Sequence, residues 1–487
     1  MMAGVLGAGL AVRAWSVARS GGALLGYPDA VTYVMAARRS LFWNPYRPAG
    51  YPILLRGLHG VSPRLRAVVA AQHAMAVAGA LALHATTRRC LRRRELALLP
   101  LATILGAGSQ LELERSVMSE APYAVLLAGA LCGAARSTTS ARPRRWLAGA
   151  GATLGVSTTM RSLGGAAVPV VAGWAALQPG ASLRARLGAS GAVIGGATVP
   201  LALYLVAQRW TTGTWGLTRT VGFTLYARLA PLADCRRFTP PEGTERLCES
   251  RPAAARPGAT AYMFSLEESP ALREFGVPPY PLQAADHDAY RWPADRRLRA
   301  FALAALRHQL LDYLRTVGLG LVNFAAPHTG PPSVMGWDHR QLIGELSNPD
   351  FERAADPEVA AYYRDAGSWR NRRPDALHRY ARLARLEGPP SAALAALALA
   401  GATHPDQAAR RTAALLGETG GALAVATAAL LFYDARYATP LYGPVAAGAA
   451  LGLDALLARL DQARNGRRGA ISARRGARRS RSEARRG

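Results

Sequence analysis

The segment Gly26-Tyr27-Pro28-Asp29-Ala30-Val31-Thr32-Tyr33 places a carboxylate directly after a long apolar stretch. Asp29 is the only acid between residues 23 and 65, a region that otherwise carries Arg38, Arg39, Arg47, Arg56 and Arg64. A carboxylate at a lipid–water boundary is half desolvated, which suits a general base that takes a proton from an acceptor hydroxyl. The same residue fits a helix N-cap, because Asp caps well and Ala30-Val31-Thr32-Tyr33 follows. The two readings are compatible. A second set lies in Pro45-Tyr46-Arg47-Pro48-Ala49-Gly50-Tyr51-Pro52, where Arg47 and Tyr51 share a Pro/Gly-rich turn and the arginine suits a lipid phosphate. A third is LELERSVMSEAPY, residues 111–123, with Glu112, Glu114 and Glu120. Here Ser119 and Glu120 read equally well as the cap and first-turn acid of the next apolar helix. Arg161 stands between two apolar stretches, and Asp434, Arg436 and Tyr437 between two others. Charges at such boundaries are costly in lipid, so they are functional candidates, although a helix end also tolerates them.

Soluble-enzyme signatures are missing: there is no GxxxxGK[ST] loop, no HExxH pair and no GxSxG elbow. His287, between Asp286 and Asp288, is the one local histidine–acid cluster, and it lies in a Pro-rich stretch where flanking acids usually face solvent. No metal or other cofactor is expected.

The elements that would position these residues belong in a membrane. The chain has 487 residues, 59 basic against 31 acidic, a formal charge of +28, and half of its residues are hydrophobic. Length alone would allow about three soluble domains. The apolar residues instead form nearly uncharged blocks, and roughly 20 helical residues cross a hydrocarbon core. Mean hydropathy is only +0.05 because a polar stretch, 208–385, dilutes it. Every basic residue is arginine, whose planar fork suits phosphate, although a GC-rich coding sequence explains the preference as simply. A nucleic-acid partner is rejected, since the charge sits at segment ends and in the tail.

Ten candidate spans cover 3–22, 66–86, 96–109, 121–135, 146–160, 162–178, 187–207, 389–403, 412–432 and 438–458. The first is the weakest, interrupted by Arg13 and Arg19. With the N-terminus cytoplasmic, arginine-rich connections around 88–94, 136–145, 184–186 and 410–411 fall inside, the expected asymmetry. The arginines of 23–65 break that pattern. The expected organisation is therefore a transmembrane module, 1–207, carrying the first external loop, 23–65. An external loop domain, 208–388, C-terminal helices, 389–460, and a disordered arginine-rich cytoplasmic tail, 461–487, follow. The fold class is an all-α polytopic membrane protein of about ten spans with a large external domain of mixed structure. Within that domain, 299–326 has helical spacing, and 350–387 reads as an amphipathic helical pair. Of the four cysteines, Cys90 and Cys132 read as inert apolar residues. Cys235 and Cys248, 13 apart on the outer side, read as a disulfide in preference to a metal site.

The order of these motifs resembles that of the GT-C membrane glycosyltransferases, and within them the phospholipid-carrier-dependent branch related to protein mannosyltransferases (glycosyltransferase family 39). The matching stretches are Tyr27-Pro28-Asp29-Ala30, Arg47-Pro48-Ala49-Gly50-Tyr51-Pro52, Ser119-Glu120-Ala121-Pro122 and Arg436-Tyr437. The stretch around Cys235 and Cys248 looks like a feature of actinobacterial members. The resemblance covers roughly 1–210 and 389–460. It implies a polyprenyl-phosphate sugar donor, a glycan, lipid or protein acceptor, and transfer on the outer face of the plasma membrane with inversion at the anomeric carbon. It implies Asp29 as base, and Arg47, Arg161 and Arg436 on the carrier phosphate. Tyr33, Tyr51, Glu120 and Tyr437 would orient substrates. Many members have Asp-Glu where this chain has Asp29-Ala30, so the second acid of that pair is missing here. A transporter or flippase, or a catalytically degenerate scaffold of the same architecture, are the alternatives.

Overall fold

The computed structural model describes residues 1–20, 23, 28–276, 292–326, 357–366, 375–431 and 434–483. His287 with its flanking acids lies outside the described residues, as does much of the expected helical pair at 350–387. Among the described residues the chain is helical with no β-strand, as its Ala- and Leu-rich blocks dictate.

The first half runs α1 (Met2–Ser20), α2 (Pro28–Arg38), α3 (Gly50–Val61), α4 (Leu65–Cys90), α5 (Leu98–Gly106), α6 (Gly108–Arg115), α7 (Glu120–Ser137), α8 (Pro143–Met160), α9 (Ala167–Ala176) and α10 (Leu183–Thr212). The polar middle supplies α11 (Val221–Leu229), α12 (Ala259–Phe264), α13 (Pro270–Phe275), α14 (Ala294–His308), α15 (Leu310–Ala325) and α16 (Asp375–Leu383). The last part holds α17 (Pro389–Ala400), α18 (Gln407–Leu430) and α19 (Ala435–Glu483).

The described residues of the ten apolar stretches fall mainly on helices or helix pairs. Four of those helices are long and apolar enough to cross a membrane: Leu65–Cys90, Leu183–Thr212, Gln407–Leu430 and Arg436–Asn465. A fifth is formed if Arg94–Gly106 and Gly108–Arg115, bent by 49° at Ala107, count as one broken span. Ser162–Ala176 and Pro389–Thr403 are apolar but shorter.

The most extensive packing between helices joins α8 to α10. A methyl group added at Gly151 or Gly155 would meet the backbone carbonyls of Val193 and Ala197. Glycine at this spacing lets two backbones touch where any side chain would hold them apart. Trp174 and Leu154 belong to a single apolar core that extends from the α2 residues Val34 and Met35 to Leu451 of α19.

The polar middle builds a smaller core of its own around Phe223, Tyr226, Tyr262, Leu298 and Phe301. Cys235 and Cys248 are joined in a disulfide with Cα atoms 5.9 Å apart, while Cys90 and Cys132 are free thiols. Two features of this region differ from expectation. The segment 299–326 is broken at Gln309, whose side chain accepts from the Asp234 amide (2.8 Å) and donates to the Leu232 carbonyl (2.8 Å). The backbone turns out of the helical conformation there (φ −130°, ψ 37°), although the Gln309 amide still donates to the Ala305 carbonyl at 2.9 Å and its carbonyl accepts from the Tyr313 amide at 3.0 Å. The described parts of the domain expected to be mixed are short helices and turns, without strands. A third departure lies in the tail, expected to be disordered: α19 continues as helix through Glu483. Arginine and alanine are strong helix formers, and a helix already nucleated by the preceding apolar turns extends at low cost.

Candidate functional site

The site residues are brought together from five separate places in the chain. Asp29 lies in the first turn of α2, inside the helix and not at its cap. Arg47 precedes α3 in a turn shaped by Asn44, whose Oδ1 accepts from the amides of Tyr46 (2.8 Å) and Arg47 (3.2 Å). Such side-chain-to-backbone bonds set a turn without a helix or sheet. The polar middle grips the same turn from outside: Arg219 donates to the carbonyls of Phe42 and Trp43, each at 2.9 Å. On its inner side a Cβ at Gly50 would fall 2.5 Å from the Thr159 carbonyl, so glycine lets α3 start against the end of α8. The Ala49 amide donates to the Tyr204 hydroxyl at 3.0 Å, tying the turn to α10. Arg161 terminates α8, and Asp434, Arg436 and Tyr437 open α19.

At the centre, Arg47 donates to Asp29 Oδ1 from Nε (3.1 Å) and Nη2 (2.7 Å). Arg436 Nη1 donates to Asp29 Oδ2 at 2.9 Å. Arg436 also places Nε 3.0 Å from Asp434 Oδ2 and donates from Nη2 to the Tyr437 hydroxyl at 3.0 Å. Asp434 Oδ1 accepts from the Arg436 amide at 3.0 Å. Glu120 meets Arg161 in an ion contact that lacks hydrogen-bond geometry. The guanidinium carbons of Arg161 and Arg436 each lie 4.9 Å from the centre of the Tyr437 ring, within the range of a cation–π contact. The cluster thus holds three carboxylates and three guanidiniums.

Burial pushes the Asp29 carboxyl up, but the neighbouring Arg47 and Arg436 charges and their hydrogen bonds outweigh it and hold the group at about 2, below its ordinary 3.8. Asp29 is therefore ionised, and a weak base while both arginines remain on it. Burial pushes the Tyr33 hydroxyl up to about 12. It lies 3.2 Å from Ser119 Oγ, and its ring packs edge-on against Tyr51 at 4.9 Å between centroids. Ser119 stands at the N-cap of α7 without making a side-chain cap bond. Tyr51 donates to Gln72 Oε1 at 2.8 Å. All eight residues singled out by the motifs, Asp29, Tyr33, Arg47, Tyr51, Glu120, Arg161, Arg436 and Tyr437, therefore fall in one connected region.

A second buried cluster was not read from the sequence. Arg13 donates to Glu114 from Nε (2.8 Å) and Nη2 (2.6 Å), Gln110 donates to the same carboxylate at 3.0 Å, and His73 Nδ1 lies 2.7 Å from it. Glu114 is fully buried. Gln72 connects the two clusters, donating from Nε2 to the carbonyls of Glu114 (2.9 Å) and Ser116 (2.8 Å). The signal that was present was Arg13 itself, a charge inside the first apolar stretch whose cost demanded a partner. Among the described residues no group of three or more His, Cys, Asp and Glu side chains gathers as a metal site.

Among the described residues the fold is all-helical, with four to five helices long and apolar enough to span a membrane, and it carries a balanced ionic cluster built from the turns beside α2 and α3, the ends of α7 and α8 and the start of the last helix. No family model matches the chain, and no curated protein or solved structure matches it.

Proposed function

We propose that the chain is an integral membrane glycosyltransferase that moves a sugar from a polyprenyl-phosphate carrier to a glycan, lipid or protein acceptor. The observation that carries this reading is the meeting of Asp29 with Arg47 and Arg436, and of Arg161 with Glu120, around Tyr437. Such a set offers both halves of a group transfer: a carboxylate to accept a proton and guanidiniums to receive a departing phosphate. Asp29 takes the proton of the acceptor hydroxyl, whose oxygen then bonds to the anomeric carbon with inversion. The bond from that carbon to the phosphate oxygen breaks, and its electron pair leaves with the carrier phosphate. Arg47, Arg161 and Arg436 hold that phosphate, while Tyr33, Tyr51, Glu120 and Tyr437 orient the two substrates. In this reading about ten spans cross the plasma membrane, both termini face the cytoplasm and 208–388 lies outside.

The test is transfer of a labelled sugar from a polyprenyl-phosphate donor in nanodiscs. Asp29→Asn keeps the shape of the residue and is expected to lower turnover about 10²–10⁴-fold, the usual contribution of a positioned base. Full transfer by that variant would remove Asp29 from the chemistry, and absence of transfer by the wild type with every lipid-phosphate sugar tried would end the reading. A reporter fused at residue 300 is expected to be active only outside the cytoplasm.

A further inference from the structure

The same two arginines are needed twice. As base, Asp29 must have affinity for a proton, yet Arg47 occupies its Oδ1 and Arg436 its Oδ2. As phosphate ligands, Arg47 and Arg436 must offer donors, yet Arg47 gives Nε and Nη2 and Arg436 gives Nη1 to Asp29. A phosphodiester presents two unbridged oxygens and one negative charge, the same pattern a carboxylate offers to a guanidinium fork. The site is also partly open on one side: the Arg47 side chain is 30% exposed, against 10% for Arg436.

We propose that Asp29 acts as an internal stand-in for the donor phosphate, so that carboxylate and phosphate compete for Arg47 and Arg436 and donor binding releases the base. This rests on the reading of the cluster as a lipid-phosphate site and adds to it an order of events. Before donor binds, the charges balance within the protein and the carboxylate is masked. When the phosphate enters, Arg47, the more exposed partner, turns to it first, and Arg436 shares its donors between the two anions. Asp434 keeps Arg436 in place during the exchange, through both its backbone amide and its guanidinium. Coupling between two ligands is reciprocal. Whatever factor Asp29 costs the phosphate in affinity, the bound phosphate costs the ionised form of Asp29, and each tenfold raises the carboxyl by one pH unit. The proton of the acceptor hydroxyl is then taken only in a site that already holds its sugar donor.

The groups facing Asp29 are Arg47 from the turn before α3, Arg436 from α19 and Tyr33 from its own helix, with Asp434, Glu120, Arg161 and Tyr437 behind them. The experiment uses the full chain in nanodiscs and a short-chain prenyl monophosphate as probe. Wild type is expected to bind it, Asp29→Asn to bind it about tenfold more tightly, and Arg47→Gln more weakly. If wild type binds and Asp29→Asn binds no tighter, the exchange is overturned while the phosphate site stands. If neither binds, the phosphate site and the exchange fall together. A measurement on wild type alone guards against a variant that fails to fold. The acid limb of kcat, which reports the donor-loaded site, is expected at higher pH than that of kcat/KM for the donor, which reports the empty one. Coincident limbs would overturn the exchange.

Discussion

The two ionic clusters of the membrane-type core both set arginine against carboxylate, and they differ in how far they are closed. In the Asp29 cluster Asp29 is shared by two guanidiniums and Arg436 by two carboxylates, the members come from loops and helix ends, and Arg47 is partly exposed. In the Glu114 cluster the carboxylate is dry, and Arg13, Gln110 and His73 converge on it from three helices. A buried pair of that kind adds little when compared with an apolar contact, but losing one member leaves an uncompensated charge. The closed cluster ties α1 and α4 to the bent α5–α6 pair, and the open one presents Arg47 to its surroundings, as the proposed phosphate site requires.

The comparison is broken most forcefully by Glu114→Gln. That change strands Arg13 and is expected to cost about 3–5 kcal/mol of stability, seen as a lower unfolding temperature in detergent, while transfer per folded molecule persists. A larger loss of transfer than of folded protein would mean that Glu114 belongs to the chemistry after all. Reducing the Cys235–Cys248 disulfide tests a third region by itself. It is expected to destabilise the polar middle by roughly 3 kcal/mol in the chain-entropy account, with proteolysis there as the readout and both ionic clusters intact. In the open cluster, Arg436→Ala is expected to raise the KM for donor about tenfold or more, by loss of a charge-assisted contact. Equal KM values would move the phosphate away from α19. Acid distinguishes the clusters more finely. Because the folded-state carboxyl of Asp29 lies at about 2, below its ordinary value, its contribution to stability is fully present above about pH 4 and is lost as pH falls through about 2. An unfolding-temperature profile of wild type should therefore drop in that window relative to Asp29→Asn. The smallest effect is expected for Tyr437→Phe. It removes one hydrogen bond to Arg436 and keeps the ring beneath both guanidiniums, so KM should change only a few-fold.

Much of the open cluster was legible in the sequence because its charges stand at the ends of apolar blocks, where lipid makes an idle charge expensive. Asp29, Arg161 and Arg436 announce themselves that way. Their pairing does not: nothing in the order of residues says that Arg47 and Arg436, almost four hundred positions apart, take opposite oxygens of one carboxylate. Arg13 shows the same limit from the other side. It read as a flaw in the first apolar stretch, and only the fold, with its 49° bend between α5 and α6, reveals Glu114 as its partner. Local signals failed at Gln309 for a related reason, since the helical spacing of 299–326 is intact and the backbone turns where the Gln309 side chain bonds residues 232 and 234, far away in sequence. The arginine-rich tail misled by composition, because charge density argues for disorder while Ala and Arg argue for helix.

The close approach of α8 and α10 carries a consequence for how errors travel. With Gly151 and Gly155 against the backbone of α10, and Gly196 against the carbonyl of Ala148, the two helices move as one thick strut. Arg161 is mounted on one end of that strut, and Tyr204, which holds the Ala49 amide, is mounted on its other rod. A single methyl wedged between the rods would shift both mountings together. The ionic cluster would keep all its members, and lose its alignment.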